Sequence, residues 1–412
     1  MKILVLNSGS SSQKSCLYEI GDALPKDPPE PVWQAKAEWN GDQAEITIET
    51  AHGEKIKEQK KIASREQALE PLLDTLWSGK TRVISAPAEI NVVGHRVVNG
   101  GMDYREPTFI TAEVKAAIAR MSAFAPLHNR AELEGMEVVA ARLGGVRQVA
   151  VFDTGFHSQL PEPAFVYPGP YEWLARGIRR YGFHGINHQY CAGRAAQLLG
   201  KELRSLKLVT CHLGNGCSLA AIQDGHSVDT TMGFTPLEGL MMGTRSGSVD
   251  PGILTYLMRQ GHLTGEQLDD LLNKKSGLLG ISGTSGDMRE IVACMKAGDA
   301  RAKLAFDIFA HRLRSGIGGM IAVLGGIDAL IFSAGIGENS PEVRAAACGN
   351  FEYLKLALDA AKNAVPLGKD RDISGGDSGV RVLVIRAQED WAIARDCWKL
   401  ASSEISGSAG AS

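Results

Sequence analysis

Short apolar runs separated by polar turns recur along the first part of the chain and predict buried β-strands. Residues 2–7 (KILVLN), 90–94 (INVVG) and 147–153 (RQVAVFD) are runs of this kind. Continuous apolar runs of this length are typical of strands covered on both faces of a sheet. Between them, Ser64 begins a capping-box pattern that opens a helix, and residues 129–142 have helical periodicity. This alternation of strands and helices predicts an α/β fold.

The same alternation begins again near residue 207. A strand over residues 207–213 is followed by the turn Gly214–Gly216 and by a returning strand over 217–222. This pattern is similar to that of residues 3–18 and indicates a duplicated unit, although two unrelated hairpins would also give it, because Gly- and Ser-rich turns are common. The other segments predicted are a charged, solvated stretch over 53–66, strands over 328–333 and 380–386, helices over 299–324 and 389–401, a Gly-rich turn over 335–339, and a helix that begins at Ser340-Pro341.

The composition is typical of a soluble globular protein with more than one domain. The chain has 412 residues, of which 44% are hydrophobic and 22% charged, and these values argue against disorder. Single hydrophobic cores stop growing near ~250–300 residues, so two or more domains are expected. Lys and Arg total 44 against 47 for Asp and Glu, a net charge of −3 that gives no basic surface for nucleic acid. Glycine is enriched, at 47 residues, and the glycines gather in short loops after apolar runs.

The cysteines and the apolar segments predict a cytoplasmic protein. The seven cysteines are an odd number without C-x-x-C spacing, which argues against a disulfide framework or a zinc site. Only four apolar residues precede Asn7, too few for a signal-peptide core. No uninterrupted apolar segment approaches the ~18 residues of a membrane span.

A polar turn over Asn7–Lys14 (NSGSSSQK) is the first candidate for chemistry. A P-loop needs G-x-x-x-x-G-K-[ST], and alignment on Lys14 puts Ser8 and Gln13 where glycines belong. The segment is therefore not a P-loop. Backbone N–H groups, hydroxyls and one ammonium in a concave turn suit phosphate oxygens, and the alternative is a merely polar hairpin.

Three further Gly-rich loops are candidates for nucleotide binding. They are His212–Gly216 (HLGNG), Gly283–Arg289 (GTSGDMR) and Gly335–Asn339 (GIGEN), the last just before a predicted helix. Glycines let the backbone approach a ligand closely, and a helix N-terminus favours an anion. Each loop alone is an ordinary turn, but together they predict a nucleotide site.

Several charged residues lie in apolar surroundings. They are Arg96, Asp153, His184, Arg245 and Glu389. Because an unpaired ion in apolar surroundings is costly, each needs a partner or a ligand. Structural ion pairs are the alternative to a catalytic role. Asp153 and Glu389 lie near predicted strand ends, where α/β folds place ligand sites.

Taken together, the motifs of this chain resemble those of the acetate kinase family. The stretches that carry the resemblance are LVLNSGSSSQK (4–14), GHRVVNGG (94–101), APLHN (125–129), VFDTGFH (151–157), RRYGFHG (179–185), HLGNGCS (212–218), MGFTPLEGLMMGTRSG (232–247), SGTSGDMR (282–289) and FSAGIGENS (332–340). The resemblance implies the sugar kinase/heat-shock/actin fold, an α/β fold with a duplicated ββαβαβα core. Two actin-like ATPase domains would have the active site in the cleft between them. The first would comprise residues 1–152 plus 388–402 and the second, nucleotide-binding, residues 153–387, leaving 403–412 as a disordered tail.

The resemblance also implies roles for individual residues. It implies catalytic roles for Asp153, His184 and Arg245, and metal contacts for Asn7 and Glu389. Acetate binding falls to Arg96, with a methyl pocket of Val98, Leu127, Phe183 and Pro236. ATP binding falls to Lys14, His212, Leu213, Gly214, Asn215, Gly216, Asp287, Met288, Arg289, Gly335, Ile336, Gly337, Glu338 and Asn339. The family uses ATP as substrate and Mg²⁺, with Mn²⁺ as a substitute, and works as a homodimer without nucleic acid or membrane.

Some positions depart from the family pattern. Asn99 stands where His is common, Arg130 replaces Pro, Ile186-Asn187 replaces Thr-Ser, Ser248 replaces Asp, and Ala387–Asp390 (AQED) replaces Thr-Asn-Glu-Glu. None of these changes removes a charged catalytic position.

The expected reaction is reversible, direct in-line transfer of the γ-phosphoryl group of ATP to acetate, giving acetyl phosphate and ADP. A carboxylic acid with a pKa of about 4–5 is already ionised at neutral pH, so no general base is required. Asp153 would then orient an arginine or metal-bound water. Alternatives are a propionate or butyrate kinase of the same family and a non-catalytic, nucleotide-switched actin-like protein. A sugar kinase is disfavoured because it needs a base to deprotonate a hydroxyl.

Overall fold

The chain divides into two compact units. The structure, a computed structural model, describes residues 1–8, 12–40, 43–62, 65–121 and 126–409. Unit 1 comprises Met1–Gly155 with Gln388–Ser412, and unit 2 comprises Phe156–Ala387. Ser64, the predicted helix cap, and part of the predicted phosphate turn (residues 9–11) lie outside the described residues. In the described part of the chain, no helix is long and apolar enough to cross a membrane.

Each unit is built around one β-sheet. The strands are β1 (Lys2–Ser8), β2 (Ser12–Glu19), β3 (Trp33–Asn40), β4 (Gln43–Thr50), β5 (Lys55–Lys61), β6 (Val92–Val97), β7 (Thr108–Phe109), β8 (Arg147–Phe152), β9 (Leu208–Leu213), β10 (Cys217–Gln223), β11 (His226–Thr230), β12 (Ala329–Ser333), β13 (Arg371–Asp372) and β14 (Arg381–Val384). The sheet of unit 1 has the order β5-β4-β3-β2-β1-β6-β8-β7, and that of unit 2 has the order β11-β10-β9-β12-β14-β13.

Helices connect and cover these strands. They are α1 (Arg65–Asp74), α2 (Ala112–Met121), α3 (Pro126–Leu143), α4 (Glu162–Phe165), α5 (Glu172–Ala175), α6 (Gly185–Leu199), α7 (Pro251–Gln260), α8 (Gly265–Lys274), α9 (Gly277–Ser282), α10 (Met288–Lys296), α11 (Ala300–Leu324), α12 (Ala334–Asn339), α13 (Pro341–Cys348), α14 (Ala360–Ala364) and α15 (Glu389–Ala409).

The two sheets share one strand pattern, which confirms the predicted duplication. In unit 1, β1 is antiparallel to β2 and parallel to β6, which is parallel to β8. In unit 2, β9 is antiparallel to β10 and parallel to β12, which is parallel to β14. The outer strands β3 and β11 are each antiparallel to the preceding strand. The order β3-β2-β1-β6-β8 therefore corresponds to β11-β10-β9-β12-β14.

The last helix of the chain packs onto the sheet of unit 1. A Cβ atom at Gly94 in β6 would lie 2.6 Å from Sγ of Cys397 and 2.7 Å from Cγ2 of Ile393, both on α15. Only glycine allows this approach, so the helix that begins with Glu389 is held close against β6. Ile393 and Cys397 are fully buried.

Three segments differ from the sequence-based expectation. Residues 335–339 were expected to form a turn but belong to α12. Each helical glycine costs ~1 kcal/mol, and Nη1 of Arg344 stabilises the end of this helix by donating to the carbonyl oxygens of Gly337 and Glu338 at 2.8 and 2.9 Å. Residues 55–61, expected to be a solvated stretch, form the edge strand β5, whose charges suit an exposed edge. Helix α15 continues to Ala409 through part of the predicted tail, because elongating a formed helix adds a hydrogen bond per residue.

Candidate active site

A buried ion pair lies at the carboxyl ends of two parallel strands of unit 1. Arg96 is on β6, and Asp153 directly follows β8. Nη2 of Arg96 donates to Oδ2 of Asp153 at 2.8 Å, and Nη1 donates to the carbonyl oxygen of Ser8 at 3.2 Å. Burial alone would lower the pKa of Arg96, but Asp153 and then Glu389 outweigh burial and raise it. Arg96 is therefore a permanently charged, rigidly held cation.

One donor of Arg96 has no acceptor within the described part of the protein. Its Nε atom is buried and makes no hydrogen bond. An unpaired buried N–H of a guanidinium costs free energy unless a ligand accepts from it. A carboxylate is the natural acceptor for a guanidinium edge, so this atom fits the expected role of Arg96 in acid binding.

The N-terminus of α15 adds two carboxylates to unit 1. Nδ2 of Asn7 donates to Oδ1 of Asp390 at 2.9 Å and to Oε2 of Glu389 at 3.4 Å. Lys14 forms an ion pair with Asp390. Burial raises the pKa of Glu389; Arg96 opposes this rise, and the nearby Asp153 and Asp390 add to it. The sequence analysis named Asn7, Lys14 and Glu389 but missed Asp390, although its position beside Glu389 was a signal.

This cluster in unit 1 has an excess of negative charge. Arg96 and Lys14 are its cations, and Asp153, Glu389 and Asp390 are its carboxylates. With every group ionised, the cluster carries one net negative charge and has little attraction for an anionic substrate. Added positive charge from a ligand or metal would correct this imbalance.

The donor set of the cluster fits a magnesium ion held mainly by water and phosphate. Within the described ranges, no three His, Cys, Asp or Glu side chains are arranged as a metal-binding group. Mg²⁺ commonly uses only one or two protein carboxylates and keeps several waters. The carboxylates of Glu389 and Asp390 and the amide oxygen of Asn7 are ligands of the right chemical type.

A cavity of about 900 Å³ in unit 2 is lined by residues of all three predicted Gly-rich segments, one of which is helix α12. Its volume lies within the usual ~300–1,000 Å³ range of ligand pockets. Predicted ATP-binding residues in its lining are Gly214, Asn215, Asp287, Met288, Arg289, Gly335, Ile336 and Asn339. The lining also contains Gly286, which lies in the predicted loop Gly283–Arg289, and Val292, Ser340 and Glu342, which the sequence analysis missed.

The remaining predicted ATP-binding residues lie elsewhere. Leu213 is fully buried, and Glu338 accepts a hydrogen bond from the backbone N–H of Ala387 at 2.8 Å. His212, Gly216 and Gly337 belong to the same loops in unit 2 without lining the cavity, and Lys14 belongs to unit 1. Their roles in ATP binding stay predictions.

Two helices begin at the cavity with conventional N-caps. Asp287 caps α10 by accepting from the N–H of Arg289 at 2.8 Å, and Ser340 caps α13 by accepting from the N–H of Val343 at 3.4 Å. The Arg289 side chain donates to the Asp287 carboxylate and lowers its pKa. Burial raises that pKa and the backbone N–H of Arg289 lowers it, and the net shift is downward. Asp287 therefore stays ionised and fixes the start of α10.

His184 is held in an unusual backbone conformation beside His212. Its φ of 58° lies in the left-handed region, which costs a non-glycine residue free energy and is often found at functional sites. The rings of His184 and His212 stack with centroids 3.9 Å apart. Nδ1 of His184 is 2.9 Å from Oγ of Ser218, and Nδ1 of His212 is 2.9 Å from Nδ2 of Asn187. Ser218 and Asn187 thus orient the two rings.

Arg245 lies close to His184 and has no acidic partner among the residues that the structure describes. Its Nη1 donates to the carbonyl oxygen of Pro236 at 3.0 Å and lies 3.7 Å from Sδ of Met242. A Cβ at Gly216 would be 3.3 Å from Nε2 of His184 and 3.5 Å from Nη1 of Arg245. Burial lowers the pKa of Arg245. Glycine at position 216 thus keeps the space between an imidazole and an unneutralised guanidinium open.

The residues predicted to form the methyl pocket belong to both units. Val98 is in unit 1, and its N–H donates to both carboxylate oxygens of the buried Glu132, at 3.1 and 3.2 Å. Phe183 and Pro236 are in unit 2, and Phe183 is 2% exposed. The side chain of Leu127 lies outside the described residues, so the pocket stays a prediction.

The duplicated strand order is that of a class of protein built from two actin-like ATPase domains. The family model described as "Acetokinase family" matches residues 2–395. The chain belongs to the acetokinase family, as its motifs predicted.

Known proteins similar to this chain carry related names. An acetate kinase from a Cyanothece species is 60% identical over 402 residues, covering 97% of this chain and 98% of the relative. An acetate kinase from Gloeobacter violaceus is 60% identical over 403 residues, covering 97% and 99%. The crystal structure of Porphyromonas gingivalis acetate kinase has a TM-score of 0.89 at 40% identity, covering 97% of this chain and 99% of that one. A propionate kinase from Francisella tularensis has a TM-score of 0.87 at 35% identity, with the same coverage.

Proposed function

We propose that this enzyme transfers the γ-phosphoryl group of ATP to acetate, reversibly and by direct in-line displacement, giving ADP and acetyl phosphate. Its family and its acetate kinase relatives at 60% identity confirm the predicted class, a kinase that acts on acetate. The observation in the structure that carries the proposed chemistry is Arg245, a partly buried guanidinium without an acidic partner in the described part of the chain. Such a cation is available to a phosphoryl group.

The reaction requires neutralisation of charge rather than removal of a proton. Acetate is ionised at neutral pH, since carboxylic acids have pKa values of about 4–5. An anionic nucleophile must therefore approach an anionic phosphoryl group, and fixed cations lower that barrier. Arg245 and His184 provide positive or hydrogen-bonding groups in unit 2 for the charge that develops on the transferring phosphoryl group.

In unit 1, Arg96 binds the acetate carboxylate and Asp153 holds Arg96. Nε of Arg96 has no acceptor among the residues that the structure describes, whereas Nη2 donates to Asp153 at 2.8 Å. A carboxylate that is already paired with a guanidinium is a poor general base. Asp153 thus orients the arginine, which matches a reaction that needs no base.

ATP binds in the cavity of unit 2. Its lining includes Gly214 and Asn215, in a Gly-rich turn that lets the backbone approach phosphate oxygens, and Ile336 and Val292, which offer apolar contacts to an adenine ring. Helices α10 and α13 begin at this cavity, and the positive ends of their dipoles favour an anion there.

Magnesium is held by the cluster of unit 1. Glu389, Asp390 and Asn7 would bind it directly or through water. When bound, the ion would supply positive charge to balance that of phosphate oxygens. The excess of carboxylates over cations in this cluster supports the proposal.

A homodimer is proposed through α7. No residue of this ten-residue helix is buried, and Ile253, Tyr256 and Met258 are 47%, 63% and 49% exposed. Apolar side chains clustered on one helix are typical of a surface covered by a partner. Light scattering should give twice the chain mass for the wild type and a shift to monomer for Tyr256→Glu. The cytoplasm is the proposed compartment, because scattered cysteine thiols suit a reducing compartment.

A propionate kinase is the second candidate because a Francisella tularensis propionate kinase shares the fold at 35% identity. One methylene in a hydrophobic pocket changes the free energy of binding by only about 1–3 kcal/mol, so the enzyme should discriminate only modestly between acetate and propionate.

The test is a hydroxamate assay of acyl phosphate with acetate, propionate and butyrate in the presence of Mg-ATP. Acetate should give the highest kcat/KM. A higher value for propionate would favour the second candidate, and no product from any acid would favour a nucleotide-switched protein. Arg204→Ala, an exposed arginine outside every site described above, is the matched control for Arg245→Ala.

A further inference from the structure

The segment that carries Arg245 has no regular secondary structure. It extends from the end of β11 at Thr230 to the start of α7 at Pro251. Catalytic positioning requires a fixed geometry, and a long irregular segment does not provide that through backbone ladders. Backbone hydrogen bonds to Asn215, Leu272 and Leu278 hold residues 242–246, and side chains from outside the segment hold residues 231–238.

Arg180 holds the beginning of this segment. Its Nη1 donates to the carbonyl oxygens of Thr231 and Met232, at 3.1 and 3.0 Å. Its Nη2 forms an ion pair with Oε1 of Glu238 at 2.8 Å. One guanidinium thus joins two positions that are several residues apart in the segment.

Tyr167 completes the arrangement. Its hydroxyl donates to Oε2 of Glu238 and accepts from the N–H of Phe234 at 2.8 Å. A Cβ at Gly233 would lie 1.7 Å from Oε2 of Glu238 and 2.1 Å from the Tyr167 hydroxyl, so only glycine fits between them. We call Arg180, Glu238 and Tyr167 the loop anchor.

The loop anchor lies next to the contact that orients Arg245. Nη1 of Arg245 donates to the carbonyl oxygen of Pro236 at 3.0 Å, and Pro236 is two residues before Glu238. Beyond the anchor, the N–H of Ser248 donates to the carbonyl oxygen of Gly239 at 2.9 Å and closes the loop. Because Arg245 has no acidic partner among the described residues, its direction depends on this backbone.

We propose that Arg180, Glu238 and Tyr167 are positioning residues that fix the Pro236 carbonyl and thereby aim Arg245 at the transferring phosphoryl group. The proposal rests on the proposed function. It predicts that the loop anchor affects the rate of the chemical step and not the affinity for ATP. Releasing the anchor lets the segment move, and a misplacement of about 1 Å can lower a rate by roughly 100-fold.

The test begins with Tyr167→Phe, which deletes one hydroxyl and keeps the ring. We expect kcat to fall by about 10- to 100-fold, with KM for ATP and the melting temperature unchanged. Tyr171→Phe, at a tyrosine that is 78% exposed, is the matched control and should match the wild type. Glu238→Gln is a second variant for the case in which Tyr167→Phe folds poorly.

A double-mutant cycle separates positioning from general stability. If the anchor acts through Arg245, Tyr167→Phe should cause little further loss of kcat in an Arg245→Ala background. An equal loss in both backgrounds, or an unchanged kcat for Tyr167→Phe, would overturn the proposal.

Amide hydrogen exchange gives a readout that does not depend on activity. Peptides covering residues 231–247 should exchange faster in Tyr167→Phe than in Tyr171→Phe. Unchanged exchange would contradict the anchor even in an active enzyme. A wild-type protein that forms no acyl phosphate would instead contradict the proposed function, whatever the exchange result.

Discussion

Replacing Arg245 with alanine should reduce turnover strongly and leave the fold intact. Two unit charges about 4 Å apart interact with about 4 kcal/mol at an effective dielectric of 20. At ~1.36 kcal/mol per tenfold, that corresponds to a rate loss of roughly 10³. Arginines that stabilise phosphoryl transfer raise kcat by roughly 10³- to 10⁵-fold, so kcat should fall by a factor within this range. ATP binding should change little, because Arg245 does not line the cavity in unit 2.

The stability of the same variant tests the electrostatic reasoning separately. Burial lowers the pKa of Arg245 and no acidic partner offsets that cost in the described structure. Its removal should therefore leave the melting temperature unchanged or raise it slightly. Steady-state kinetics by the hydroxamate assay and thermal unfolding on the same preparation measure both quantities. Near-wild-type kcat in Arg245→Ala would refute the role, and a large loss of stability would refute the electrostatic assignment.

The remaining predictions concern unit 1. Arg96→Ala leaves the carboxylate of Asp153 buried without its cation, so urea unfolding should show a loss of about 3–5 kcal/mol, and retained stability would contradict the ion pair. Burial lowers the pKa of His95 from 6.5 to about 4. Between pH 6.5 and about 4, His95 therefore binds a proton in the unfolded state and not in the folded state. The free energy of unfolding should then fall as pH drops through this window, by up to about 1.4 kcal/mol per pH unit, and His95→Gln should lessen the slope; an unchanged slope would refute this. Glu389→Gln should raise the Mg²⁺ concentration for half-maximal rate by about 10- to 100-fold, and an unchanged requirement would place the metal elsewhere.

The strands that carry the site were predictable because they are continuous apolar runs. Residues 2–7 and 207–213 were expected as strands, and β1 and β9 occupy them as central strands of the two sheets. The repeat of strand, small-residue turn and returning strand was also visible in the sequence. Its meaning as a duplication became evident only from strand order, which depends on pairings between distant segments.

Helix α12 was not predictable from local rules. Two glycines in a stretch of five disfavour a helix in isolation. The segment follows a buried strand that ends at Ser333, and Arg344 donates to the carbonyl oxygens of Gly337 and Glu338. Local propensity failed there because contacts from outside the segment stabilise the helix.

For the charged residues in apolar surroundings, the sequence did not decide which partner each one has. For each, the alternatives were an ion pair or a ligand. Arg96 and Asp153 pair with each other, His184 contacts the hydroxyl of Ser218, and Arg245 finds only backbone and sulfur partners in the described structure. No local pattern distinguishes these cases, because the partners come from other strands and loops.

The different surroundings of the two arginines imply different tasks. Arg96 is neutralised by Asp153 at 2.8 Å, so we expect it to contribute direction more than net charge, and its Nε, which has no acceptor among the described residues, fits a carboxylate ligand. Arg245 has no acidic partner in the described structure, and its full charge suits the charge that is spread over the phosphoryl oxygens during transfer. Lysine at position 96 would keep the charge and lose the fork of donors, so Arg96→Lys should raise KM for acetate more than it lowers kcat. Arg245→Lys should lower kcat more than it raises KM for acetate, because a charge is retained but its distance from the phosphoryl oxygens changes. If both lysine variants altered KM and kcat in the same proportion, the division of tasks between the two guanidinium groups would be wrong.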